Sequence, residues 1–384
     1  MGSSVFTMIV VAVSLVEAMS LAKLGEASVN MIRAAPDFVR RPSDKQNQEQ
    51  NRKWNRPGMP GTPEGDCRPF PRPNTEWHPT GPPDHAHPSW TQPAQTNAPP
   101  VPQPSTPAGQ CPEIWQTIIA DLSKRFIGAD RQCTDDARAA IRGAFHDCAT
   151  WSEDQGYSGG CDGSLVNADE FADRIENTGL ADWSVKVKGL KIAYPSVSVA
   201  DLIAVSASVA IVSCPGGPRI KTYVGRNDSM TGSQRGALPS PFADGETNYQ
   251  LFLKKGINET ELAGLMGAHS VSKAFGTSKI TVGAAQDTTP GIWDTTYYSE
   301  VFKPCPGMTP FTSDTNLAQH PKVGPEMAKM INNKARFDFM FTNAMEKMMR
   351  MGVHQENLVE CTNWVPRGTN SREMRGNAIN ARIR

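Results

Sequence analysis

Apolar residues recur at helical spacing through much of residues 111–366. In one such segment Leu262, Leu265 and Met266 lie at positions i, i+3 and i+4, so they share one face of a helix, and His269 at i+7 continues that face. No extended run alternates between apolar and polar residues, as a half-buried strand would. The pattern predicts an all-α fold with little β structure. Helices are predicted over Asp135–Cys148, Ser198–Cys214, Glu259–Ser272, Val323–Asn333 and Phe337–Gly352.

Composition divides the chain into regions. Residues 41–110 hold 17 of the 31 prolines and hardly an aliphatic residue. Such a segment cannot bury enough apolar surface to offset the entropy of ordering it. We therefore expect a Pro-rich, largely disordered extension over residues 21–110, a folded domain over residues 111–366, and a basic C-terminal tail over residues 367–384.

The N-terminus carries an apolar run from Val5 to Val16, followed by small residues near Ala18 and Ser20. The run is short for a bilayer span, which favours a signal peptide over a membrane anchor. The basic segment that usually precedes the apolar run of a signal peptide is missing. We interpret residues 1–20 as a secretory signal peptide, with a buried N-terminal helix or a membrane anchor as the alternatives. The protein is then expected to be secreted and extracellular.

The eight cysteines form no CxxC pair, so a structural zinc site is disfavoured. In an exported chain they favour disulfide bonds. Two glycosylation sequons, at Asn227 and Asn258, are consistent with a glycoprotein.

Because the net charge is zero, the chain as a whole has no electrostatic attraction to nucleic acid or to an anionic membrane surface. We expect neither a nucleic-acid partner nor stable membrane insertion.

The most informative segment has the sequence IRGAFHDC and places Arg142 and His146 four residues apart, on one helical face. His269 lies far along the chain on an apolar face. One helix that offers arginine and histidine to a cavity, with another that offers a lone histidine, suits a haem that cleaves peroxide. The lone histidine would be the axial ligand, and the pair would supply acid–base catalysis.

Seven motifs occur along the folded domain: IRGAFHDCATW, GGCDGS, ENTGL, VSVADLIAVSA with CPGGP and GRND, LMGAHSVS, QDTTPGIWDT and SDTNLAQHP. With these motifs in this order, the chain resembles secreted fungal class II haem peroxidases, of the plant, fungal and bacterial haem peroxidase superfamily, and specifically their generic or ascomycete-type members. The resemblance implies an all-α fold with one haem b between a distal and a proximal helical half. It also implies a monomer, and no exposed apolar helix stripe in the sequence contradicts this.

On the distal side, the resemblance makes His146 the acid and base for hydrogen peroxide. Arg142 would stabilise the negative charge that develops on the departing oxygen. Phe145 would pack over the haem. Asn177 would accept the proton on the other imidazole nitrogen and so fix the tautomer of His146.

On the proximal side, the resemblance makes His269 the axial ligand of the haem iron. Asp314 would accept the other proton of its imidazole and make the ligand more electron-rich. Gln286 stands where the family often has an aromatic residue beneath the haem.

The resemblance also implies two calcium ions, since this hard cation binds clustered oxygen ligands. From composition by itself these polar residues would be interpreted as turns. The distal calcium ligands would be Asp147, Asp162, Ser164 and the carbonyl of Gly160. The proximal calcium ligands would be Ser270, Asp287, Thr289, Asp294 and the carbonyl of Ile292.

Three disulfides follow from the resemblance: Cys111 with Cys361, Cys133 with Cys214, and Cys148 with Cys161. A bond between the remaining Cys67 and Cys305 would tie the extension to the domain, although Cys67 lies outside the matched region.

Departures from the family pattern bear on the electron donor. The manganese-binding positions hold Asp135, Ala139 and Phe275, one carboxylate of three, and Gly264 occupies the position of a surface tryptophan. We therefore expect oxidation of small phenolic or aromatic donors at the haem edge, in two one-electron steps.

Two alternatives come from other classes of protein. One is a haem-carrying cell-surface or adhesion protein with vestigial catalysis, in which the Pro-rich extension and the basic tail would carry the function. The intact pair Arg142 and His146 argues against it, because a binding module needs neither. The other alternative, a metal-dependent hydrolase, lacks the GxSxG and HExxH motifs.

Overall fold

Helices make up nearly all of the regular structure in the computed structural model, which describes residues 109–171, 174–274, 281–306 and 308–368. The α-helices of these residues are α1 (Ile114–Phe126), α2 (Asp135–Cys148), α3 (Ser164–Asn167), α4 (Ala181–Ala193), α5 (Val199–Ser213), α6 (Gly245–Leu253), α7 (Glu259–Met266), α8 (Thr296–Glu300), α9 (Thr312–Gln319), α10 (Val323–Ala328) and α11 (Lys334–Met348). Two short strands, β1 (Tyr223–Val224) and β2 (Val359–Glu360), pair in antiparallel orientation. The predicted all-α fold is confirmed.

Some predicted segments lie outside the described residues. These are the signal peptide, nearly all of the Pro-rich extension and most of the basic tail. Within the described residues, no helix has the length and the apolar character needed to cross a membrane.

The distal half is built around α5. Every residue of this helix is buried, because α1, α2 and α4 all pack against it. Its alanine and serine side chains are small and allow the neighbouring helices to approach closely. The side chain of Ser198 accepts a hydrogen bond from the backbone N–H of Asp201 and so begins the helix.

The proximal half is built around α7, which packs against α10 and α11, while α9 packs on α6 and α10. Phe337 of α11 stacks on Trp293 and Phe341 meets the same indole edge-on, and the three rings form an aromatic centre in this half. The predicted apolar face of α11 is confirmed as core, since all of its members are buried: Phe337, Phe341, Ala344, Met345, Met348 and Met349.

The bounds of the helices agree with the prediction in the distal half and differ in the proximal half. Helix α2 has the predicted ends. The predicted helix Glu259–Ser272 is wrong beyond Met266, where Gly267–Val271 tightens into a 3₁₀ turn that contains His269. At Gly267 a Cβ would overlap the ring of Phe337, so the chain runs close against the aromatic centre there.

The predicted helix Val323–Asn333 is also too long. Helix α10 ends at Ala328, and Asn332 adopts a left-handed conformation with φ of 55°. The chain therefore turns before Asn333, whose side chain accepts a hydrogen bond from Arg336 N and begins α11.

Disulfide bonds join distant parts of the fold. The three predicted pairs, Cys111–Cys361, Cys133–Cys214 and Cys148–Cys161, are confirmed. Cys305 is disulfide-bonded as well, and its suggested partner, Cys67, lies outside the described residues.

Close packing of α2 on α4 predicts opposite effects of two alanine substitutions. A Cβ at Gly143 of α2 would overlap the ring of Trp183 in α4, so Gly143→Ala should lower the free energy of unfolding by about 1–3 kcal/mol. A Cβ at Gly189 of α4 would meet only open space. Gly189→Ala should therefore raise the free energy of unfolding by about 0.5–1 kcal/mol, because alanine has the higher helix propensity. Denaturant unfolding measures both, and equal effects would contradict this packing.

Candidate active site

The distal pair occupies the last turns of α2. Arg142 Nε donates to His146 Nε2 at 3.2 Å, and His146 Nδ1 lies 2.8 Å from Asn177 Oδ1. Asn177 Nδ2 donates to the carbonyl of Glu170 at 2.9 Å, so its oxygen must face the ring. These bonds assign the proton of the neutral imidazole to Nδ1 and leave Nε2 unprotonated.

The electrostatic environment keeps His146 neutral. Burial and the positive charge on Arg142 lower the pKa of His146 to about 3, against a smaller raising effect of Asn177. Burial lowers the pKa of Arg142 to about 10, so the guanidinium stays charged near neutral pH. The site therefore combines a neutral base with a fixed positive charge.

A single short turn positions both distal residues. Arg142 Nη1 donates to the carbonyl of Thr178 at 2.8 Å and Nη2 to that of Glu176 at 2.9 Å. Asn177, between these two residues, holds His146. The 3₁₀ turn Ile175–Asn177 and the residue that ends it, Thr178, supply all three acceptors, so any shift of this segment moves both side chains.

A buried ion pair anchors that turn. Arg174 Nη1 lies 2.7 Å from a carboxylate oxygen of Glu170, and both side chains are buried. Ser233 completes the cluster, since its backbone N–H donates to Glu170 at 2.6 Å and its carbonyl accepts from Arg174 at 2.6 Å. Sequence analysis missed Glu170 and Arg174, whose i, i+4 spacing is equally typical of exposed surface pairs.

Phe145 supports the distal histidine from the side. Its ring is edge-on to His146 at 5.6 Å between centroids and stacks on Phe252 of α6 at 6.2 Å. Phe145 is only partly buried, so part of its ring remains free to cover a ligand between the two halves.

The proximal histidine is held in the same manner as the distal one. His269 Nδ1 lies 2.9 Å from Asp314 Oδ2, and this carboxylate is fully buried. The rings of Tyr297 and Phe311 stand edge-on to the imidazole at 5.7 and 5.8 Å. With Nδ1 paired to Asp314, Nε2 is the ring nitrogen available to bind a metal.

These residues fit a haem. The side chain of His269 is 30% exposed although Gly267, Ser270 and Val271 of the same turn are buried, and its Nε2 has no hydrogen-bond partner among the described residues. An apolar surround, one free imidazole nitrogen and a buried carboxylate behind it are the donor set that a haem iron takes.

The predicted distal calcium ligands lie together directly after His146. The Asp147 carboxylate accepts backbone hydrogen bonds from Gly163 at 3.0 Å and Leu165 at 3.2 Å. Burial and the nearby Asp162 raise the pKa of Asp147 well above its usual range. Ser164 Oγ is buried without a hydrogen-bond partner, and the Gly160 carbonyl accepts from Asp162 N at 2.8 Å.

The predicted proximal calcium ligands form a similar group after His269. Thr289 Oγ1 donates to Asp294 at 3.2 Å and lies 3.5 Å from an oxygen of Asp287. Burial and the charge of Asp294 raise the pKa of Asp287 to about 8. Ser270 Oγ is buried without a partner, and Ile292 N donates to the Thr289 carbonyl at 2.9 Å.

Each oxygen group therefore contains one buried carboxylate (Asp147 or Asp287), one partly buried carboxylate (Asp162 or Asp294) and one unpartnered hydroxyl, which a calcium ion would satisfy. Within the described ranges, no three His, Cys, Asp or Glu side chains gather as a metal site. Calcium binding would depend on hydroxyl and carbonyl oxygens as well as on the carboxylates.

The positions that would hold a manganese ion or a surface tryptophan bear on the choice of electron donor. Asp135 forms ion pairs with Arg138 at 2.8 Å and with Lys273 at 3.7 Å. Gly264 packs on the backbone of Met340, so a tryptophan has no room there in this arrangement. Phe275 lies outside the described residues.

Comparison with known proteins agrees with this geometry. A family model described as peroxidase matches residues 119–333. Ligninase LG6 of Phanerodontia chrysosporium is 27% identical over 277 residues, which cover 66% of this chain and 74% of the relative. Versatile peroxidase VPS1 of Pleurotus eryngii is 26% identical, covering 65% and 73%. A peroxidase of Arthromyces ramosus is 26% identical, covering 68% and 78%.

The segment that matches the family model spans more than half of the 384 residues and contains both site histidines. Three relatives named as peroxidases or ligninases align over about two thirds of the chain. The protein therefore belongs to the peroxidase family, within the fungal haem peroxidase superfamily, and is a haem-dependent oxidoreductase that uses hydrogen peroxide.

Proposed function

We propose that this peroxidase oxidises small phenolic or aromatic donors by one-electron steps at the edge of one bound haem b. The observation that carries the proposal is the matched state of two histidines, His146 and His269. Each has Nδ1 bonded to a buried acceptor, which leaves Nε2 as the nitrogen that can accept a proton or bind a metal. One can then act as a base while the other binds iron.

The distal residues would move one proton and stabilise one charge. Bound haem supplies the iron centre at which the oxygen–oxygen bond of the peroxide is cleaved. His146 Nε2, taking peroxide as its partner in place of Arg142, would accept a proton from one oxygen and deliver it to the other, which departs as water. Arg142 would stabilise the negative charge on the departing oxygen, and Asn177 would keep the proton on Nδ1 throughout.

The proximal residues would set the strength of the iron ligand. His269 Nε2 would be the axial ligand, and Asp314, which accepts the Nδ1 proton, would increase the electron density on the imidazole. A more electron-rich ligand favours the oxidised states that a peroxidase passes through.

The absence of a manganese-binding set and of a tryptophan at position 264 favours small electron donors. Asp135 is engaged with two cations, Ala139 contributes no oxygen, and no aromatic side chain fits at Gly264. Neither a manganese ion nor a surface tryptophan would then relay electrons, and a donor would have to reach the haem edge itself.

The rest of the chain fits an exported monomer. We propose a signal peptide at residues 1–20, a Pro-rich extension at 21–110, the haem domain at 111–366 and a basic tail at 367–384. The disulfides support passage through an oxidising compartment, and both sequon asparagines, Asn227 and Asn258, are exposed. A cell-surface haem carrier with vestigial catalysis is disfavoured because Arg142 and His146 form a complete acid–base pair.

Stopped-flow spectroscopy of the haem-loaded protein mixed with peroxide tests the proposal. The parent should react rapidly and return to its resting spectrum faster when a phenol is present. His146→Leu should slow the reaction with peroxide by about 10²- to 10⁴-fold, the usual contribution of a positioned acid and base. A variant that reacts at the parental rate would exclude His146 from this role, and a parent inert to peroxide would favour the haem-carrier alternative.

The pH dependence of the same step should be unusual for a histidine. Only the neutral imidazole can accept a proton, so the rate should fall when the solution is acidified through the pKa of His146, about 3. We expect a constant rate from pH 7 down to about pH 4 and a decline below it. A midpoint near 6.5 would show that His146 titrates as an ordinary exposed histidine.

We also propose two bound calcium ions. Titration calorimetry should give two sites for the parent and one each for Asp147→Asn and Asp287→Asn, with Asp182→Asn, an exposed residue at the start of α4, as the control. Saturating calcium at 100 times its dissociation constant should stabilise the fold by about 2.7 kcal/mol per site, measured as a rise in the melting temperature. Two sites in either site variant would contradict the assignment.

A further inference from the structure

The guanidinium of Arg138 bonds to three separate parts of the chain. Its Nε donates to the carbonyl of Val271 at 2.8 Å, and its Nη2 donates to the carbonyl of Pro290 at 2.8 Å. Its Nη1 lies 2.8 Å from the carboxylate of Asp135, and the side chain is only 9% exposed. The group is thus enclosed by its acceptors.

Each of these partners belongs to a part of the site. Arg138 lies one and two helical turns before Arg142 and His146, on the same face of α2. Val271 ends the 3₁₀ turn that carries His269. Pro290 lies between Thr289 and Ile292, in the loop with the proximal oxygen ligands. One side chain therefore connects the distal helix, the turn of the proximal histidine and this loop.

Other contacts join the loop to the distal half but do not reach the turn of the histidine. Trp293 N donates to the carbonyl of Pro215 at 2.8 Å, and a Cβ at Gly291 would overlap Gln132. Within the ranges that the structure describes, the bond from Arg138 to Val271 is the hydrogen bond that joins α2 directly to Gly267–Val271.

Arginine is suited to this position by its shape. The planar guanidinium presents donors in fixed directions, so it can bond two carbonyls and a carboxylate at once. A lysine offers a single ammonium at the end of a flexible stem and cannot span the same acceptors. Without a donor, the carbonyls of Val271 and Pro290 would lose these partners, and α2 would no longer be bonded to the histidine turn and the loop.

We propose that Arg138 is a positioning residue that fixes the separation between the distal helix and the proximal histidine turn, and so keeps His146 out of the coordination sphere of the iron. A neutral imidazole with an unprotonated Nε2 is itself a good iron ligand. If α2 could move toward the haem, His146 would bind the iron as a second axial ligand and be lost as a base. This inference rests on the proposed roles of His146 and His269.

The test compares spin states of the ferric, haem-loaded protein by optical and electron paramagnetic resonance spectroscopy. Arg138→Met keeps the length of the stem and removes every donor, while Arg138→Lys keeps the charge. Arg125→Met, an exposed arginine at the end of α1, is the matched control. Loss of charge-assisted bonds should raise the low-spin, bis-imidazole fraction by about tenfold or more in Arg138→Met. Arg138→Lys should show a similar but smaller rise, and the control none.

A second substitution identifies the ligand. Adding His146→Leu to Arg138→Met should remove the low-spin signal, since the second imidazole is then absent. A low-spin signal that persists in this double variant would overturn the inference. The inference would also be overturned if Arg138→Met and Arg138→Lys both kept the parental spectrum. If Arg138→Met does not fold, the lysine variant and its double with His146→Leu decide the matter.

Failure of the proposed function looks different. If the parent itself lacks a five-coordinate, high-spin spectrum, or if His269→Ala leaves that spectrum unchanged, the assignment of His269 as the axial ligand is wrong. A normal parental spectrum that changes in His269→Ala but not in either Arg138 variant leaves the proposed function intact and removes only the role of Arg138.

Discussion

Both halves of the site depend on one constraint, which is that each imidazole must present Nε2 rather than Nδ1 as its available nitrogen. A neutral imidazole carries its proton on either nitrogen, and an acceptor beside Nδ1 decides between them. Asn177 and Asp314 provide those acceptors at 2.8 and 2.9 Å. The difference between them is charge. The neutral amide does little to stabilise an imidazolium, so burial and Arg142 prevail at His146 and lower its pKa. The carboxylate of Asp314 instead makes the proximal ring more electron-rich.

The acceptors must themselves be held, and the protein does so with buried charges. The turn that carries Asn177 is anchored through Glu170, whose carbonyl accepts from Asn177 while its carboxylate pairs with Arg174. A buried ion pair contributes little net stability, because desolvation offsets most of the attraction. It does restrict geometry, since either charge left unpaired would be costly. This restriction aligns Arg142 and His146 with each other.

The two oxygen groups extend the same principle along the chain. Asp147 follows His146 directly, and Ser270 follows His269 directly, so a cation bound at either group would brace the adjacent imidazole. In both groups a buried carboxylate lies near a partly buried one, and burial together with the charge of Asp294 raises the pKa of Asp287 to about 8. Such carboxylates are poorly stable as bare anions, whereas a divalent cation would make their charge favourable.

Local regularities are what the sequence could determine. The ends of α2, the pairing of Arg142 with His146 at i and i+4, and the buried face of α11 all follow from helical periodicity. The family motifs added the haem, the catalytic residues and three disulfide pairs, because these depend on residue types in a known order. The proline-rich composition predicts a boundary of the folded domain for the same kind of local reason.

Only the tertiary structure decided how these parts are held together. Gly267–Val271 becomes a 3₁₀ turn because Gly267 packs against Phe337, far along the chain. Arg138 binds the carbonyls of Val271 and Pro290, and Arg142 binds those of Glu176 and Thr178. Every residue has a backbone carbonyl, so a sequence carries no mark of which ones will accept a hydrogen bond from a distant side chain. The choice is made when the chain folds and brings those carbonyls within reach of the guanidinium groups.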